Sequence, residues 1–242
     1  MGQTSLQIPE AAALMGLTHG IMDDFDHYVS ADTWTTVVSD SGTVAVNDAA
    51  GGIVTLTPSD GSVGDNDEAY LKSTKEIFKF ASGKPGEFET LIQFSEANTD
   101  DANVMVGVMD AVGADSLVDN GAGPKSSYSG AVFFKTDGDT VWNAESSNGA
   151  TQKTTNLTAD VSLTKAAVTA GGSAYQRLKI RWIPTADGLI TFEFFVDGKL
   201  VAIHESRSYS SATEMQAFAA VKNGDTNLET LKVDYIRCHQ VR

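Results

Sequence analysis

Residues 175–205 read YQRLKIRWIPTADGLITFEFFVDGKLVAIHE, and this stretch decides the fold class. Leu178, Ile180 and Trp182 recur at every second position, with Lys179 and Arg181 between them. After Asp187-Gly188 the alternation resumes through Ile190, Phe192, Phe194 and Val196, and Leu200 opens a third short run after Asp197-Gly198. A pleated strand buries one face when its apolar residues fall two apart. Asp-Gly suits a tight reversal, because glycine tolerates positive φ and Asp tolerates left-handed geometry. The three runs predict an antiparallel meander in an all-β chain.

The same texture extends in both directions. Apolar-rich runs at 34–38, 43–47, 52–57, 69–73 and 77–80 alternate with turn residues. Phe88, Thr90, Ile92 and Phe94 predict a long strand with one face inward. Residues 104–109 and 131–135 are apolar at consecutive positions, as interior strands require. Residues 215–222, with Leu231, Val233 and Tyr235, supply two final strands. The segment 110–129 has no period and reads as a long loop; 143–173 reads as weak polar edge strands. About fourteen strands at this spacing predict two stacked sheets in one domain over residues 23–242. Residues 1–22 stand apart. There Pro9 and EAAALMGL predict one or two helical turns ending near Gly16, in an arm laid on a neighbouring surface.

A chain of 242 residues buries roughly 70 to 75% of its unfolded surface, so its core needs no staple. None is offered: Cys238 is the single cysteine, and His19, His27, His204 and His239 lack metal-ligand spacing, so no metal or cofactor is expected. The formal net charge of −15 repels phosphate and argues against nucleic acid and anionic membranes as partners. AAALMGL is too short to span a bilayer, and the start lacks the basic residues of a signal peptide. Leu6 stands where a myristoylation signal needs Ser or Thr. Asn156-Leu157-Thr158 meets the glycosylation sequon in form only.

Large β-sandwiches that cut sugars need two carboxyls facing each other, about 5 to 5.5 Å apart in retaining enzymes. On a strand that calls for acids at every second position. Glu87 and Glu89 make a start, but Leu91 and Gln93 follow; Glu193 and Asp197 share a face with Thr191 and Phe195, and Asp197 serves a turn. No catalytic residue is assigned. Cys238 and His239 are adjacent, so on a strand they point to opposite faces. Asp65, Asn66, Asp67 and Glu68 could offer oxygens to Ca²⁺, but Tyr70 stands where an EF-hand loop needs glycine. The glycine-rich Asn120-Gly121-Ala122-Gly123-Pro124 lacks the lysine of a phosphate cradle. Trp34, Trp142 and Tyr128 could form a sugar platform if exposed; Trp182 alternates with core residues.

Several blocks carry a resemblance. ITFEFFVDGKLVA is similar to the penultimate hairpins of concanavalin A-like (laminin G-like) jelly rolls. DDFDHYVSADTW, GKPGEFETLIQFSEANTDDANVMVGVMDA and LETLKVDYIRCHQVR resemble tailed-bacteriophage virion proteins of that fold. The likeness runs from Asp23 to Arg242 as a pattern of whole blocks. It implies a jelly-roll sandwich that decorates or cements the outer capsid surface, with the major capsid lattice as partner, in a homo-oligomer such as a trimer. It also implies folding in the host cytoplasm before assembly. Relatives of the fold that bind or hydrolyse sugars imply a second reading, a glycan-binding module. A third is a polysaccharide hydrolase or lyase, although the hydrolase string Glu-x-Asp is absent.

Overall fold

The computed structural model describes residues 17–47, 51–59, 61–96, 100–171 and 174–242. Seventeen strands make up the regular structure among them. The eight-stranded sheet runs, in spatial order, β15 (Lys199–Arg207), β14 (Ile190–Val196), β13 (Gln176–Pro184), β6 (Gly86–Ser95), β17 (Thr230–Val241), β4 (Ile53–Ser59) and β3 (Ser41–Asn47), with β1 (Thr18–Asp23) also on β17. The seven-stranded sheet runs β12 (Gln152–Asn156), β11 (Asn143–Asn148), β10 (Ser129–Lys135), β7 (Asn103–Met109), β16 (Gln216–Lys222), β5 (Glu68–Ser73) and β2 (Trp34–Val38). A two-stranded ribbon, β8 (Leu117–Val118) and β9 (Gly123–Pro124), completes the set. Every named pairing is antiparallel.

The meander forms as predicted, with one refinement in its turns. Asp197 and Gly198 both take positive φ, 49° and 78°, so this is a two-residue reversal of the type that matches strand twist. At the other Asp-Gly only Gly188 is left-handed, and the connection from Pro184 to Ile190 is a longer loop closed by Thr185 N–H donating to Leu189 O at 2.7 Å. Residues 77–80 form no named strand; Phe78 makes an isolated bridge to Met215. The helical turns expected near Pro9 lie outside the described residues. Thr18–Met22, assigned to the arm by sequence, lie in β1 and pair with Val241 back to Arg237.

Strand β17 organises the larger sheet. One side pairs with β6 along its length, while the other pairs with β4 through Leu231–Val233 and with β1 from Ile236 onward. The register shift between Val233 and Tyr235 falls where one partner leaves and the next arrives, as a bulge bends and re-aims its strand.

The two inner faces divide the work of filling the core. The larger sheet contributes Phe88, Phe94, Ile180, Trp182, Phe192 and Phe194, and the smaller answers mostly with Val104, Val106, Val108, Ala217, Ala219 and Val221. Large against small lets the layers interdigitate at native density. Aromatic rings meet edge-on at 4.8 Å for Phe80–Phe192 and 5.4 Å for Phe133–Phe194. Gly86 is where Trp182 sits, since a Cβ there would come within 2.2 Å of the indole.

One buried polar group ties the sheets together. His204 on β15 is fully buried, with Nδ1 2.8 Å from the Ser146 hydroxyl and Nε2 2.9 Å from that of Thr155. Burial, helped by Lys153 and Arg207, lowers its pKa from 6.5 to about 3. The folded state therefore holds the neutral ring, so the unfolded chain binds the extra proton between those values. The stabilisation is complete above pH 6.5, shrinks as the pH falls, and is gone below about 3. Urea unfolding at pH 7 and pH 3 should show the wild type losing on the order of 4 kcal/mol more than His204→Gln; equal losses would show that the ring is not held neutral.

Candidate functional site

The acids considered for catalysis are spoken for. Glu87 and Glu89 project from the outer face of the larger sheet, where Glu87 pairs with Arg237 at 2.8 Å and Lys179 at 3.5 Å, and Glu89 accepts from the Tyr235 hydroxyl at 2.7 Å. Glu193 is held by Arg181. Asp197 caps its turn by accepting from Arg177 N at 3.0 Å. Cys238 points into the core, where burial pushes its thiol pKa up, and His239 lies on the other face. The aromatic platform is absent: Trp34, Trp142 and Tyr128 are all buried, and their polar atoms bond Asp23, Gln176 and Glu145. Trp182 is core, donating to Lys84 O at 3.1 Å.

The acidic run at 65–68 is dispersed. Asp67 accepts from Gly64 N, Asn66 accepts from Asn120 N, and Glu68 turns inward. A different trio converges instead. Asp101, Asp225 and Glu229 bring carboxylate oxygens within 4.8 Å of one another, a hard-oxygen set that could take a cation such as Ca²⁺. Asp225 and Glu229 stand close in sequence, but Asp101 is remote from both, so the trio forms no readable motif. Nearby Asp137 has its pKa raised by burial and then by Asp101. Asn156 of the sequon lies half-buried on β12, its amide donating to Asn143 at 3.0 Å.

The outer face of the seven-stranded sheet is occupied by the chain itself. Tyr70, Met105, Met109, Val132, Phe134, Phe218 and Ala220 form a second apolar cluster with Val112, Leu117 and Tyr128 of the segment 110–128. That covering explains why β7, β10 and β16 are buried at every position. An aperiodic sequence became a plug because its few apolar residues meet a floor already made by three strands.

An ionic hub pins the plug. Lys222, buried on β16, places Nζ 2.5 Å from Asp119 Oδ1, 2.8 Å from Leu117 O, and 3.3 Å from both Asp115 Oδ1 and Glu68 Oε2. Burial works to discharge this ammonium, but Asp119, Glu68 and Asp115 outweigh it and raise its pKa. Glu68 also accepts from the Tyr70 hydroxyl and from Asp115 N, and Tyr70 in turn accepts from Leu117 N at 3.0 Å. At the far margin Glu145 is gripped by Tyr128, Gln152 and Thr154; burial nevertheless pushes its carboxyl above the usual range.

Open space lies elsewhere. A pocket of about 510 Å³ lies between residues 164–169 and the β14–β15 hairpin. Its apolar wall is Val168, Val196 and Val201 with Ala166 and Ala167; Thr164, Thr169, Asp197 and Lys199 add polar groups. Gln176 braces the base, accepting from Trp142 Nε1 and Gly171 N and donating to Thr169 O. Leu163 N–H donates to Val201 O at 3.0 Å, fixing the loop against the hairpin. The sequence announced the hairpin but carried no sign that this loop would fold over it.

No family model matches the chain, and no curated protein matches it by sequence. Solved structures do match in shape. The endo-1,3-beta-glucanase of Streptomyces sioyaensis aligns over 93% of this chain and 97% of its own, at TM-score 0.61 and 14% identity. The carbohydrate recognition domain of Emp47p aligns over 89% and 92%, at TM-score 0.58 and 12% identity. Peanut lectin aligns over 93% and 97%, at TM-score 0.58 and 9% identity. The fold is a concanavalin A-like jelly roll. At such identities the likeness concerns architecture, and lectins and glucanases share it alike.

Lys222→Met tests the hub. Leaving Glu68 buried without its cation should cost about 3 to 5 kcal/mol and speed amide exchange across 110–128. Asp115→Asn, at an exposed partner, should cost at most about 1 kcal/mol. Unchanged exchange in the lysine variant would mean that the plug is held by apolar contact alone.

Proposed function

We propose that this protein binds carbohydrate without cleaving it, and that the sugar sits in the pocket between residues 164–169 and the β14–β15 hairpin. The observation that carries the reading is the lining. An aliphatic wall suits the carbon face of a sugar ring, while hydroxyls, one carboxylate and one ammonium suit its hydroxyl rim. The volume falls within the usual range of ligand pockets, about 300 to 1,000 Å³. Lectins of the same architecture support a sugar ligand.

Binding is favoured over hydrolysis by what surrounds the acids. Asp197 is the single carboxylate lining the pocket, and glycoside cleavage ordinarily asks for two. Glu87, Glu89 and Glu193 are tied to cations on the outer face of the larger sheet. The capsid-decoration reading rests on the sequence blocks, and no structural observation adds to it.

Screening the full chain against a broad glycan panel by calorimetry is the test. At least one glycan should bind, with no cleavage product on prolonged incubation. Ala167→Trp, which fills the pocket from an exposed position, should abolish binding, and Asp197→Asn should weaken it about tenfold. Binding that survives Ala167→Trp would move the site elsewhere, and released oligosaccharides would make the protein an enzyme.

A further inference from the structure

Three Asn-Gly pairs occur in the sequence, at 120–121, 148–149 and 223–224, and the fold treats them differently. Asparagine before glycine is chemically labile. The glycine nitrogen, with no side chain to shield it, can close a five-membered ring on the asparagine side-chain carbonyl and expel ammonia. A folded chain restrains that reaction by hydrogen bonds to the groups that must react, and by packing that stops the backbone from pivoting.

Two of the pairs are restrained. Gly149 N–H donates to Tyr128 O at 2.7 Å, while the Asn148 amide donates to Ser208 O and its oxygen accepts from Ala150 N and Thr151 N. Asn223 is fully buried, its amide donating to Gly64 O and its oxygen accepting from Glu229 N. A Cβ on Gly224 would come within 2.0 Å of Asp101 O, so that segment has no room to move. Asn120 differs on every count. It is exposed, in the turn 119–122 that joins β8 to β9 at the tip of the plug's ribbon. Its main-chain N–H reaches Asn66 Oδ1 at 2.9 Å. Among the described residues neither its side-chain amide nor Gly121 N–H has a hydrogen-bond partner. Both residues take positive φ, 56° and 66°, as Asn-Gly does in tight turns.

We propose that Asn120-Gly121 is a self-modifying site, at which the plug deamidates. Gly121 N gives up its proton to water and bonds to Asn120 Cγ. The bond from Cγ to the side-chain nitrogen breaks, and ammonia leaves with the proton returned to it. Water then opens the ring at either carbonyl. Opening at the former side-chain carbonyl leaves aspartate; opening at the main-chain carbonyl leaves isoaspartate, whose main chain runs through the side-chain methylene.

The position matters because the turn is pinned on both sides of Asn120. Asp119 Oδ1 lies 2.5 Å from Lys222 Nζ, and a Cβ on Gly121 would stand 3.3 Å from the Asp137 Cβ. A turn lengthened by an extra main-chain carbon cannot keep both contacts in their present geometry. The added carboxylate also repels Asp119 and Asp137. The plug therefore loosens with the age of the molecule.

Ageing the full chain at mildly alkaline pH, with peptide mapping by mass spectrometry and isoaspartate counting, is the test. Asn120 should convert about tenfold faster than Asn148 or Asn223, or more. In urea the three rates should come together, because the selection is made by the fold. Amide exchange across 110–128 should quicken in step with isoaspartate at this position, and should stay slow in equally aged Asn120→Gln. Comparable rates at the three pairs in the folded chain, or a lead by Asn148 or Asn223, overturn the site. Conversion of Asn120 with exchange unchanged, or equal quickening in the aged glutamine variant, overturns its hold on the plug.

Discussion

A single buried ammonium governs what the outer face of the smaller sheet can do. Lys222 sits among four oxygens from β5 and from the plug, and through them joins two parts of the chain that share no regular hydrogen-bond ladder. A lone charge there would be prohibitively costly, and a lone Glu68 equally so. Each makes the other tolerable only while the plug is seated. Lys135 repeats the device near the same end of the sandwich, bonding Glu96, Asp100 O and Ala102 O from a fully buried position. Loop residues are gathered around cations built into the strands.

The plug redistributes surface between the two sheets. With one outer face filled by residues 110–128, the free sheet surface that remains is the outer face of the larger sheet, laced with Arg181–Glu193, Lys179–Glu87 and Arg237–Glu89 pairs. Lys179 and Arg181 also lie over the Phe195 ring at 4.9 and 5.5 Å. Such a face keeps its apolar atoms covered by long charged side chains. Neither sheet therefore offers an open apolar floor among the described residues, and a pocket is found instead beside the β14–β15 hairpin.

How much of this the sequence discloses depends on range. Alternation announced β13, β14 and β6 residue by residue, because burial of one face acts at a spacing of two. Consecutive apolar residues in β7 and β10 pointed correctly to burial on both sides, yet not to what covered the second side. That answer lay in a segment whose Val112, Leu117 and Tyr128 follow no period. Hydrogen bonding misled in the opposite way: Trp34, Trp142 and Tyr128 looked available for stacking, but each found an internal acceptor, which only coordinates reveal. The pocket was the least legible feature. Thr164 and Val201 stand 37 positions apart, and neither belongs to a motif.

The position of β17 has a bearing on how this molecule comes into being. Twelve residues near the end of the chain sit between β6 on one flank and both β4 and β1 on the other. The earlier strands of that sheet can collapse as they emerge from the ribosome, but their centre stays vacant until residue 241 has been synthesised. Pairings that span most of the chain are closed late and slowly. During that interval the exposed flanks of β6 and β4 are open to mispairing, and a chaperone that shields strand borders would be of most use to this protein then.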